Sequence, residues 1–158
     1  MYTILLVDDE QSVLEGLCVG IDWAQLGISN VLTATDGLQA LELIKSTHID
    51  LLITDILMPK MDGLTLLSSA KELRPDLHCI LLSAHGEFEY ARNALLLGVE
   101  NYLLKPVVQE ELEATIERHW TIFIQIIIVI IIFSKVIFCL DGLKILLATM
   151  NCVTGHYY

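Results

Sequence analysis

Positive charge is scarce in this sequence. Its 158 residues hold 9 Lys and Arg against 20 Asp and Glu, a formal net charge of −11. A surface of that sign repels phosphate backbones, which argues against nonspecific nucleic-acid binding and suits a divalent cation or a basic partner surface. Metal-ligand spacing is missing too. The four cysteines (Cys18, Cys79, Cys139, Cys152) form no CxxC, and the five histidines (His48, His78, His85, His119, His156) follow no ligand pattern. Cys18 and Cys79 sit in apolar contexts and read as small core residues in a reducing compartment. The opening "MYTILLVDDE" has no basic stretch and turns acidic by residue 8, unlike a secretory leader. That predicts a cytoplasmic setting for the first 118 residues. No internal repeat is found.

The length suits one domain able to bury its own core. What charge there is lies in residues 1–118, which carry 19 of the acids and 7 of the bases. Residues 119–158 carry one acid and two bases, and nine isoleucines fall between Thr121 and Leu140. The chain therefore divides by composition at 118.

Within residues 1–118, short aliphatic runs alternate with helical periods. The runs Thr3–Val7, Asn30–Ala34, Asp50–Thr54, Cys79–Ser83 and Asn101–Leu104 read as strands. Three of them are continuously apolar, as strands covered on both faces are. Between them come five stripes. The first is Val13, Leu14, Leu17, Cys18 and Ile21; the second is Leu38, Leu41 and Ile44, opened by Asp36. Then follow Leu64, Leu67 and Ala70, opened by Asp62; Phe88, Ala91 and Leu95; and Val108, Leu112, Ile116 and Trp120. Five βα units predict an α/β fold, a flavodoxin-like (βα)5 doubly wound parallel sheet of order 2-1-3-4-5 with an atypical hydrophobic tail.

Ligands of such sheets bind beyond the carboxyl ends of the strands, near the switch in strand order. Four predicted strands end there in reactive chemistry: Asp8-Asp9, Asp55, Ser83 and Lys105-Pro106. In the order above, the three acids share one crevice with a hydroxyl and an ammonium. Two carboxylates about 4 Å apart repel by roughly 4 kcal/mol at an effective dielectric near 20. A hard divalent cation relieves that repulsion, and Mg²⁺ fits because one or two protein carboxylates suffice to hold it. A carboxylate attacks a phosphoryl group poorly, since both are anions. Mg²⁺ on Asp9 and Asp55, with Lys105 beside the phosphoryl oxygens, would permit an acyl phosphate on Asp55. Such a group is a strong local charge, able to bias a two-state element through Ser83.

Each residue has a plainer reading. Asp8, Asp9 and Glu10 suit the first turn of a helix, and Asp55 a loop cap. Ser83 alone is a strand-end hydroxyl, Lys105 a solvated cation and Tyr102 a half-buried aromatic. The coincidence of the acid pair, the lone acid, the hydroxyl and the Lys-Pro pair at strand C-termini favours the functional reading.

Residues 1–118 resemble the receiver (REC, CheY-like) domain of two-component response regulators. The likeness runs through VDDE (7–10), TDILMPKMDGL (54–64), LSAHGEFEYA (82–91) and GVENYLLKP (98–106). "EGL…IDW…LGI" (15–28) with "GEFEYA" looks most like the YesN-type regulators. The resemblance implies a phosphoprotein in a phosphorelay whose Asp55 accepts phosphate from a sensor histidine kinase. It implies a Mg²⁺ cofactor ligated by Asp9, Asp55 and the backbone carbonyl of Leu57, with Asp8 assisting through water. By the same resemblance Ser83, Ala84 and Lys105 engage the phosphoryl group, and Tyr102 changes rotamer to follow. Pro59, Gly63 and a cis Lys105–Pro106 bond are structural, and the helix 4–strand 5–helix 5 face is the homodimer and output surface. YesN-type proteins carry an AraC-like DNA-binding domain and control transcription. Residues 119–158 have no basic recognition helix, so no direct nucleic-acid binding is expected from this chain.

Residues 119–158 are read as a hydrophobic tail of unknown role. The preferred account is an out-of-frame or truncated end. A membrane anchor over Trp120–Leu140, with Arg118 on the cytoplasmic side, and a segment that buries against a partner are the alternatives. For function, a signalling switch that is not an enzyme is preferred. A tethered or stand-alone receiver working through protein contacts is the second reading. Third is a phosphohydrolase with an Asp nucleophile, which needs an acid two residues after Asp55, where Leu57 stands. A scaffold whose acids are merely caps is the last.

Overall fold

The computed structural model describes residues 2–84 and 101–118, with residues 92, 94, 96, 98, 99, 120, 121 and 129 besides. Five strands form one sheet: β1 (Tyr2–Val7), β2 (Ile28–Ala34), β3 (Leu51–Asp55), β4 (His78–Ser83) and β5 (Asn101–Leu104). All pairings are parallel and the order is β2-β1-β3-β4-β5. That is the order read from the sequence. The continuous apolar runs explain it, because β1, β3 and β4 lie inside the sheet and are buried along nearly their whole length.

Three helices are bounded along the chain, α1 (Gln11–Gly20), α2 (Gly37–Ser46) and α3 (Gly63–Leu73), and residues 109–118 are also helical. Asp36 and Asp62 cap as their positions predict. The Asp36 carboxylate accepts from Gln39 N–H at 2.9 Å and Asp62 from Thr65 N–H at 2.7 Å. The stripe Phe88, Ala91 and Leu95 lies outside the described residues.

One core layer joins Leu5, Val7, Leu52, Cys79 and Leu81 of the strands to Ala40 and Ile44 of α2 and Leu66, Leu67 and Ala70 of α3. Strand alternation turns Ile4, Leu6, Ile53, Ile80 and Leu82 to the other face, and all five are buried. Leu14 and Leu17 of α1, with Leu112 and Ile116, are buried as well. Two stripe positions differ from expectation. Leu38 is half exposed because Gly37, Ala40 and Ile44 face inward instead, and Val108 is half exposed because it precedes its helix.

The chain separates into two compact units, Met1–Glu117 and Arg118–Tyr158. Nearly all of the predicted tail 119–158 lies outside the described residues. Among the described residues, no helix is long and apolar enough to cross a membrane.

Candidate functional site

The parallel register carries the reactive residues to one edge. Val7 pairs with Thr54 and Asp55 with Leu82, so β1 ends beside β3 and β3 beside β4. Ser83 pairs with Leu104, and Lys105 N–H donates to the Ser83 carbonyl at 2.7 Å. Asp8, Asp55, Ser83 and Lys105 thus emerge on one edge although 97 positions separate the first from the last.

The three acids converge. Carboxylate oxygens of Asp8, Asp9 and Asp55 all lie within 4.8 Å of one another. Asp8 and Asp55 are buried, and Asp9 is exposed. An oxygen donor set of this kind, open to solvent on one side, suits a hard divalent cation.

Lys105 holds the two buried acids together. Its Nζ stands 2.7 Å from Asp8 Oδ2 and donates to Asp55 Oδ2 at 2.8 Å. The remaining oxygens have backbone donors, Glu10 N–H to Asp8 Oδ1 at 3.0 Å and Ile56 N–H to Asp55 Oδ1 at 2.7 Å. Burial pushes the Asp8 carboxyl above its ordinary range, and the Asp55 charge adds to the rise. Lys105 and the Glu10 N–H offset part of it. Burial would lower the Lys105 ammonium, but its bonds to Asp55 and Asp8 outweigh that and raise it. The ammonium is therefore firmly charged at neutral pH.

The other predicted positions surround this centre. Ser83 is buried at its strand end, Ala84 is exposed, and Tyr102 is half-buried against the core layer of α2 and α3. The Lys105–Pro106 bond is cis. Leu57 is 45% exposed, between the buried Ile56 and Met58. Pro59 is exposed in the same loop. Gly63 opens α3 directly against the Asp55 backbone, where a Cβ would sit 2.1 Å from the Asp55 carbonyl oxygen.

Two features of this edge escaped sequence reasoning. Lys60 has φ 68° and pairs with Asp36 at 2.5 Å. Met61 presses on Gly37, where a Cβ would meet the Met61 carbonyl oxygen at 2.8 Å. Nothing local in "MPKMDG" announces either, since both depend on α2 lying beside the loop.

Comparison with known proteins decides the family. The response regulator receiver domain model matches residues 4–117. The chain belongs to that family. The transcriptional regulatory protein YesN of Bacillus subtilis is 42% identical over 118 residues, covering 75% of this chain and 32% of that protein. The transcriptional regulatory protein HptR of Staphylococcus aureus is 38% identical over 118 residues, 75% of this chain and 46% of that one. The chain thus spans a third to a half of these relatives. Among solved structures, the receiver domain of AraT from Geobacillus stearothermophilus superposes with a TM-score of 0.69 at 38% identity, covering 76% of this chain and 95% of that one. A two-component transcriptional regulator AraC from Clostridium phytofermentans gives 0.72 at 29% identity, covering 79% and 97%. The receiver role in two-component signalling follows, and the fold is the flavodoxin-like one of its relatives.

Proposed function

We propose that this receiver is phosphorylated on Asp55 by a sensor histidine kinase and signals by the conformational change that follows, without enzymatic turnover of its own. The observation that carries the reading is the buried Asp55 carboxylate, flanked by Asp8 and Asp9 and bonded to Lys105 at 2.8 Å.

Asp9, Asp55 and the Leu57 carbonyl would hold Mg²⁺, with Asp8 assisting through water. When bound, Mg²⁺ supplies the positive charge that offsets repulsion between the Asp55 carboxylate and an incoming phosphoryl group. The rest falls to the chain. Ile56 N–H fixes one Asp55 oxygen. The other attacks phosphorus, the P–N bond to the kinase imidazole breaks, and that nitrogen takes the bonding pair and a proton. Lys105 leaves its bond to Asp55 Oδ2 and follows the charge onto the phosphoryl oxygens. Ser83 and the Ala84 backbone close on the same oxygens, and Tyr102, on β5, changes rotamer to follow.

The exposed Leu104 of β5 and Val108 just before helix 109–118, each 52% accessible, support a homodimer contact on the β5 edge of the sheet. Residues 1–118 act as the receiver domain and 119–158 as a separate tail in this reading, in a cytoplasmic protein whose longer relatives are transcriptional regulators. No nucleic-acid contact is assigned to this chain.

Incubation with a small acyl phosphate and Mg²⁺, followed by intact mass, tests it. The wild-type chain should gain one phosphoryl group, and Asp55→Asn or chelation of the metal should abolish the gain. Phosphate retained by Asp55→Asn would refute the assignment.

A further inference from the structure

The loop from Asp55 to Asp62 is held more firmly than its exposure suggests. Met58 is sunk into the core, while Leu57, Pro59 and Lys60 are exposed. Met61 N–H donates to the Pro59 carbonyl at 2.8 Å, closing a three-residue turn around Lys60. Lys60 occupies that turn at φ 68°, the one positive φ among described non-glycine residues. Turns of this kind are strained for a residue with a Cβ, and such strain persists where surrounding contacts enforce it.

The enforcing contacts come from α2. Asp36 lies at its N-cap, with one carboxylate oxygen on Gln39 N–H and the other on Lys60 Nζ. Gly37, next in sequence, leaves room for the Met61 backbone to approach. The pair is mostly out of water on the acid side, with the Asp36 side chain 15% exposed against 62% for Lys60. The tether thus reaches from a separate βα unit to the middle of the loop that carries Leu57.

We propose that Asp36 is a positioning residue for the cation: its ion pair with Lys60 latches the 59–61 turn and so presents the Leu57 carbonyl toward Asp9 and Asp55. This rests on the reading of Leu57 as a metal ligand given above. Asp36 touches neither the metal nor the phosphoryl group and acts only through the loop.

Charge and latch make opposite forecasts at Lys60. By through-space charge alone, removing the Lys60 cation would tighten Mg²⁺ binding. The latch requires the reverse.

The test is a Mg²⁺ titration of the full chain, followed by the amide resonances of residues 55–61, on folded wild type, Lys60→Met, Lys60→Arg, Lys60→Gly and Asp36→Asn. Asn retains the helix cap, so Asp36→Asn removes the ion pair alone. Lys60→Met and Asp36→Asn should each need roughly three-fold more Mg²⁺ for half-saturation, as losing a surface ion pair that orients a ligand implies. Lys60→Arg should restore wild-type affinity. Lys60→Gly should match or exceed wild type in urea midpoint yet bind Mg²⁺ more weakly, which separates positioning from stability. Unchanged or tighter binding in Lys60→Met and Lys60→Gly would overturn the latch while leaving the metal site standing. A wild-type chain whose 55–61 resonances ignore Mg²⁺ would overturn the metal site and the latch together.

Discussion

Gly63 and Asp55 stand so close that no side chain fits between them. A Cβ on Gly63 would lie 2.1 Å from the Asp55 carbonyl oxygen and 3.0 Å from the Ile56 Cα, both backbone atoms. Gly63 N–H also donates to the Ile56 carbonyl at 2.8 Å. The first turn of α3 is thereby clamped onto the end of β3. Gly63→Ala must push the two apart, and we expect a loss of roughly 1–3 kcal/mol, typical of overpacking against backbone. Urea unfolding measures it, and phosphorylation of Asp55 should slow in the same variant.

Asp8 sets a pH dependence. Burial raises its carboxyl above the unfolded value, so the sign is the reverse of an ordinary salt-bridged acid. Its contribution to stability is complete below the unfolded pKa, near 3.8, and is lost as pH rises through the higher folded value. Asp8→Asn has no such loss. The variant should exceed wild type in metal-free stability at neutral pH, and the gap should close as pH falls. Paired urea melts across that range check this.

Mg²⁺ should stabilise the folded chain by mass action. At a concentration about ten times Kd the gain is about 1.4 kcal/mol. Asp9→Asn removes the exposed member of the acid cluster without disturbing the buried Lys105 bonds, and the shift should shrink. Thermal melts with and without Mg²⁺ read the difference.

Leu104 ends β5 and is 52% exposed, so it contributes little to the core. Leu104→Asp should change stability by less than about 0.5 kcal/mol. It should nevertheless weaken self-association of the phosphorylated chain, measured by sedimentation.

Much of the sheet was legible beforehand. Central strands bury both faces, so "ILLV", "LLIT" and "CILLS" announced β1, β3 and β4 with little ambiguity. Asp36 and Asp62 likewise marked helix starts, because a side-chain cap is a local interaction. Exposure of Leu38 and Val108 was not legible. α2 offers several apolar residues per turn, and packing selects which of them face inward, while Val108 falls just before its helix begins.

By itself, the sequence determined which segments are strands, where two helices begin, and that acids, a hydroxyl and a lysine end the strands. These follow from side-chain periodicity and short-range hydrogen bonding. Only the tertiary structure decided that one ammonium bridges Asp8 and Asp55, that Gly63 lies under the Asp55 carbonyl, and that Asp36 reaches Lys60. Those relations join residues from different βα units, and the parallel packing that brings them within a few ångströms has no local signature.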